Sequence, residues 1–134
     1  MSRTLILAYD GSDPARRALE HAAGLVGRGG TVSVVNVVEV QAVSSRLETV
    51  SEQQRAAQDQ LLHEAETVLA GHGVRAELVR AAGNPATEVA AAAEAVGADM
   101  IVVGRHSRTA PHLLHRSVVG TLVRSAPCDV LVVH

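Results

Sequence analysis

The chain has 134 residues, 47% of them apolar, and a formal charge of −2. That length suits one domain with its own core, and the apolar fraction excludes a disordered tail protein. The charge gives no general pull toward nucleic acid, and a single aromatic residue, Tyr9, disfavours base stacking as a binding mode.

The chain opens on Thr4–Tyr9, a strand-like apolar run without the basic start and cleavage site of a signal peptide. Asp13-Pro14 then reads as a helix start, with Asp13 as the capping candidate and proline at the first helical position. Ala18, Leu19, Ala22, Ala23 and Val26 recur at helical spacing until Gly27, Gly29 and Gly30. Thr31–Val38 is a second, near-continuous apolar strand. Glu39–Arg46 is polar and reads as an irregular exposed loop. A long helix is predicted from about Thr49 to Ala70, carrying Leu61, Leu62, Ala65, Val68 and Leu69 on one face and closed by Gly71 and Gly73.

Val74–Arg80 alternates, as an edge strand with one wetter face does. Asn84-Pro85 opens a third helix that ends at Gly97. Met100–Val103 and Val130–Val133 are the fourth and fifth strands, separated by a short helix that starts near Ser117 and stops at Pro127. Strands one, two, four and five are apolar almost throughout, which fits a parallel sheet covered on both faces. The β-α alternation, with no compositional break, predicts one doubly wound α/β domain over residues 1–134.

No apolar run reaches the roughly 20 residues of a membrane span. Cys128, the only cysteine, cannot form an internal disulfide and reads as a small buried residue; the chain is expected to be cytoplasmic. All twelve basic residues are arginine. Between Met100 and Cys128 lie Arg105, Arg108, Arg116 and Arg124 with no acidic residue, so the one basic stretch falls in the last third.

In open α/β sheets, ligands sit beyond the carboxyl ends of the strands where the strand order switches. Asp10-Gly11-Ser12 leaves the first strand there, and Gly104–Arg116 leaves the fourth. Asp10 is suited to accept hydrogen bonds from a ribose or an amine, and equally to form an Asp-Gly turn. Gly104 permits a sharp turn or a close backbone approach. Ser117, near a helix start, reads as an N-cap or as part of an anion site. His106, His112 and His115 lie in the same loop without a neighbouring carboxylate or thiolate, so no metal site is assigned, and solvated histidine is the default. There is no Gly-x-Ser-x-Gly elbow and no Walker lysine.

The chain resembles the universal stress protein (UspA) superfamily along essentially its whole length. The resemblance rests on Leu5-Ile6-Leu7-Ala8-Tyr9-Asp10-Gly11-Ser12, Arg17–Ala22, Val35-Asn36-Val37-Val38 and Gly83-Asn84-Pro85-Ala86, and on two later stretches, Gly97–Gly104 and Ala126–Val133. It implies an adenine nucleotide alpha hydrolase-like fold with four helices and a five-stranded parallel sheet of order 3-2-1-4-5. It also implies a homodimer and, in many members, bound ATP without a defined reaction.

ATP-binding members share a pattern of Gly, two residues, Gly, nine residues, Gly, then Ser or Thr. By that resemblance the nucleotide-binding set is Asp10, Val37, Gly104, Ser107, Arg116, Ser117 and Val118. Ser107 and Arg116 replace the second and third glycines, and the stretch between them is one residue short. A Cβ there obstructs a backbone cradle for phosphate, whereas Arg105, Arg108 and Arg116 offer side-chain donors suited to phosphate.

The resulting expectation is a non-catalytic stress-response or regulatory domain with a degenerate nucleotide loop. It needs no cofactor and acts as a homodimer through Val130–Val133, whose exposed apolar edge demands cover. The alternative is a regulatory module that binds ATP or ADP in the same cleft. A phosphohydrolase or transferase lacks an evident base or metal site. Neither nucleic acid nor membrane is an expected partner.

Overall fold

A computed structural model of the chain describes residues 3–40, 42–43, 46–47, 50–105 and 118–134. Strands β1 (Leu5–Ala8) and β2 (Thr31–Glu39) flank helix α1 (Asp13–Val26) in sequence. Next come the two-residue strands β3 (Ala42–Val43) and β4 (Arg46–Leu47), and helix α2 (Glu52–Gly71). Strand β5 (Arg75–Gly83), helix α3 (Pro85–Val96), strand β6 (Met100–Gly104), helix α4 (Val118–Ser125) and strand β7 (Asp129–Val133) complete the order.

The main sheet is five-stranded and runs β5-β2-β1-β6-β7, with every pair parallel. Counting only its own strands in chain order, that is 3-2-1-4-5, the expected order. Ala8 of β1 stands level with Val35 of β2 and Val103 of β6. The chain moves one way from β1 through α1 to β2, and the opposite way from β5 through α3 to β6. The right-handed crossover rule therefore puts these helices on opposite faces.

The core follows that division, because alternate strand residues face opposite sides. Leu5, Leu7, Val32, Val34 and Val102 pack with α1 and α2, through Leu19, Ala22, Leu62, Ala65 and Leu69. Ile6, Val35 and Ile101 pack with α3 and α4, through Ala86, Val89, Ala93 and Leu122. β5 alternates between exposed and half-buried residues, as an edge strand should.

Several expected boundaries change. Ser12, not Asp13, caps α1: its Oγ accepts from the Ala15 N–H at 3.3 Å, and Asp13 and Pro14 fall in the first turn. α2 begins at Glu52 rather than near Thr49 because Ser51 and Gln54 form a reciprocal capping box (3.1 and 2.9 Å). Gly71 belongs to α2, and His72 is its C-cap.

β2 runs one residue further than expected, to Glu39. β5 occupies Arg75–Gly83 rather than Val74–Arg80, since the two strands stay paired to Glu39–Gly83. Where the loop Glu39–Arg46 was expected, β3 and β4 form an antiparallel ribbon that reaches one residue past it, with Ala42 opposite Leu47 and Val43 opposite Arg46. No helix among the described residues is long and apolar enough to cross a membrane.

Candidate functional site

The order reverses between β1 and β6: their following helices leave on opposite faces, which opens a crevice at the carboxyl ends. Asp10 lies two residues past Ala8, Val37 two past its partner Val35, and Gly104 one past its partner Val103. Three of the sequence-predicted residues thus converge at the ends of three adjacent strands, which are spaced about 4.8 Å apart. Val118 begins α4 and packs against the cluster on the α3 side. Ser107, Arg116 and Ser117, with Arg108, His106, His112 and His115, lie outside the described residues.

Asp10 is exposed, and its Oδ1 accepts the Ser12 N–H at 3.0 Å. That is an Asx turn, so the turn role read from Asp-Gly is present. It orients the carboxylate beside the crevice, and its second oxygen has no hydrogen-bond partner among the described residues. Gly11 enforces the same turn: its φ is +79°, and a Cβ would lie 2.6 Å from Leu61 Cδ2.

Gly104 has a reason in packing beside the expected one. A Cβ on it would stand 2.6 Å from the Pro14 carbonyl carbon and 2.7 Å from the Ala15 nitrogen. The first turn of α1 fills that space, so helix–strand packing alone demands the glycine. Beyond it, the Arg105 N–H donates to the Val133 carbonyl at 2.7 Å, continuing the ladder, while the Arg105 side chain is exposed.

Val37 presents its backbone to the crevice. The Tyr9 N–H donates to the Val35 carbonyl at 3.0 Å, so Val35 faces β1. In a parallel ladder alternate residues face the same neighbour; Val37 therefore also turns its N–H and C=O toward β1. But β1 has ended there, and among the described residues Val37 makes no hydrogen bond on that side. A donor and an acceptor in one peptide-spaced pair suit the edge of a heterocyclic base. The Val37 side chain is half-buried against the α3-side cluster.

A polar network behind the crevice went unread in the sequence. The Asn36 side-chain nitrogen donates to the Tyr9 carbonyl at 2.8 Å. The Gln58 side-chain nitrogen donates to the carbonyls of Asn36 (2.8 Å) and Ala81 (3.0 Å) and to Asn36 Oδ1 (3.2 Å). The Tyr9 hydroxyl donates to Glu64 Oε1 at 2.6 Å, and Arg16 Nε donates to the same oxygen at 3.3 Å. Two sequence signals were available: Asn36 interrupts a valine run, and Gln58 sits four residues before the core residue Leu62.

Burial, reinforced by the Glu64 hydrogen bond, pushes the Tyr9 hydroxyl from 10.0 up to about 12. The neutral phenol is favoured in the folded state only. This contribution is therefore complete below pH 10 and is lost as pH rises through the folded value. Its size is on the order of 2 kcal/mol. With one tyrosine and no tryptophan, tyrosinate absorbance reads Tyr9 directly. Ionisation should appear near pH 12, or together with unfolding; a separate titration at pH 10 in folded protein would contradict the buried bond. The Cys128 thiol is half-buried, and burial, then Asp129, raise its pKa, which lowers its reactivity at neutral pH.

A family model for the universal stress protein family matches residues 1–134. No curated protein sequence matches the chain. Among solved structures, UspA from Lactobacillus plantarum is 20% identical, with 98% of this chain and 97% of that one covered and a TM-score of 0.75. The Archaeoglobus fulgidus universal stress protein in complex with dAMP is 21% identical, with 98% of each chain covered and a TM-score of 0.76. At these identities the likeness shows the fold. A universal stress protein in complex with cAMP is 27% identical, with 98% and 97% covered and a TM-score of 0.75. The family match spans every residue from Met1 to His134, and this chain belongs to the universal stress protein family.

Proposed function

We propose that this chain is a non-catalytic regulatory homodimer that binds an adenine mononucleotide between the ends of β1, β2 and β6. The observation that carries the reading is the backbone edge of Val37, unpaired toward β1 among the described residues, beside the Asp10 carboxylate. The first fits the base; the second fits ribose hydroxyls. A 27% identical universal stress protein in complex with cAMP supports the ligand class. The sequence departs from the ATP-binding pattern at Ser107 and Arg116, and the arginines of this stretch are suited to supply donors in place of the missing glycine amides. A ligand held mainly by its adenosine half follows, with the third phosphate of ATP adding little. The chain has no lysine to grip phosphates as a P-loop lysine does, which supports binding without turnover.

Calorimetry with AMP, ADP and ATP tests this. AMP should bind the wild type, and Asp10→Ala should weaken it about 10–100-fold, the loss of hydrogen bonds to a charged group. No heat at millimolar AMP favours the purely dimeric, ligand-free reading. Phosphate released from ATP, and abolished by a point substitution, would make the protein an enzyme.

The dimer reading rests on the two sheet edges. β5 carries the exposed Arg75, Glu77 and Arg80, charges that discourage pairing with another strand. In β7, by contrast, Val130, Leu131, Val132 and Val133 follow Asp129 without a charge. An uncharged apolar edge is suited to a second copy across a two-fold axis.

A further inference from the structure

Two of the polar side chains in the interior sit where apolar ones belong. Along β2 the residues facing α1 and α2 are Val32, Val34 and then Asn36, which is 8% exposed. Along α2 the inward residues Leu62, Ala65 and Leu69 are preceded by Gln58, which is 5% exposed. Burying amides is costly unless they are hydrogen-bonded, and nothing in the core requires them. Both lie at the carboxyl end of the sheet and form one chain of bonds: Asn36 donates to the Tyr9 carbonyl, and Gln58 donates to Asn36 itself and to the Ala81 carbonyl.

The Tyr9 carbonyl has an obvious alternative donor. After the Tyr9 N–H bond to Val35, the next step of a parallel ladder is the Val37 N–H to the Tyr9 carbonyl. The Asn36 side chain takes that place at 2.8 Å. Gln58 in turn holds Asn36 by both its backbone carbonyl and its Oδ1. We propose that Asn36, braced by Gln58, is a positioning residue. It ends the β1–β2 ladder one step early, so that the Val37 N–H and C=O stay turned to the ligand and the Tyr9-Asp10 turn stays open.

The ligand part of this inference rests on the adenine-nucleotide reading; the ladder part does not. Asn36→Val supplies the apolar strand residue that the pattern expects and frees the Tyr9 carbonyl. The ladder should then close. Amide hydrogen exchange at Val37 should be fast relative to Val35 in the wild type and slow by about tenfold or more in Asn36→Val, as a new backbone bond forms. AMP affinity should fall by about tenfold while thermal stability is kept. A merely structural asparagine would instead lose stability and leave Val37 exchange as it was.

Gln58→Met, which leaves Asn36 in place but unbraced, should shift both readouts the same way and by less. It keeps the question open to decision if Asn36→Val does not fold. A Val37 amide already protected in the wild type, or unchanged in both variants, overturns the positioning role. Wild-type protein that exchanges as expected but ignores AMP overturns the nucleotide reading and leaves the ladder mechanism standing.

Discussion

Gly104→Ala should destabilise the protein in the absence of any ligand. The added Cβ meets the backbone of Pro14 and Ala15 at 2.6–2.7 Å, and backbone at the start of a capped helix cannot step aside as a flexible side chain can. Overpacking of this kind costs roughly 1–3 kcal/mol, or about 3–4 °C in Tm per kcal/mol at this chain length. Gly24→Ala is the matched control. Gly24 lies inside α1, and a Cβ there meets nothing within 4 Å. Alanine at that position should raise stability by about 0.5–1 kcal/mol through helix propensity alone. Thermal melts of the two variants should move in opposite directions. Equal melts would mean that α1 does not press on β6. A destabilised Gly104→Ala with no ligand present shows that this glycine serves the fold whether or not it also serves a ligand.

Val132→Pro should convert dimers to monomers and leave the fold intact. The bond from the Arg105 N–H to the Val133 carbonyl fixes the phase of β7: Val133 and Leu131 face β6, and Val130 and Val132 face away. Proline at 132 therefore removes a donor from the free edge and none from the ladder, the position in which edge strands accept it. Val133→Pro removes an inward donor of a buried residue and should destabilise the monomer itself by roughly 1–3 kcal/mol, the cost of a buried acceptor left unpaired. Sedimentation velocity reads the first variant and denaturation reads the second. Dimers that persist in Val132→Pro, or a wild type that is monomeric, rule out this edge as the interface.

Much of the architecture was legible because its causes are local. The apolar runs of β1, β2, β6 and β7 and the alternation of β5 state burial directly, and the glycines and Asn84-Pro85 mark helix ends. The strand order came from the resemblance, since no spacing in one sequence says which strand pairs with which. Boundaries failed where two good signals adjoin. Ser12 and Asp13 are both capping residues, and the preference for proline in the first helical position pointed to Asp13. In the structure, the Ser12 Oγ reaches the Ala15 N–H, and Pro14 sits one place later. Ser51-x-x-Gln54 was a readable capping box, but the apolar stripe begins further along.

At the site, the position of Asp10 follows from a strand end, whereas Val37 came from the resemblance. The packing reason for Gly104 was not readable in advance, because Pro14 is 90 residues away in sequence. Asn36 and Gln58 stand out as polar residues at apolar positions; their link, Gln58 to Asn36 and Asn36 to the Tyr9 carbonyl, needed the fold.

Tyr9 has a practical consequence. It is the only tyrosine in a chain without tryptophan or phenylalanine, stands one residue before Asp10, and bonds to a carboxylate. The protein thus carries a single native fluorophore at its candidate cleft, with a quencher already attached. Any ligand or neighbour that disturbs the β1 turn will change the emission of unlabelled protein, without the background that a second fluorophore would add.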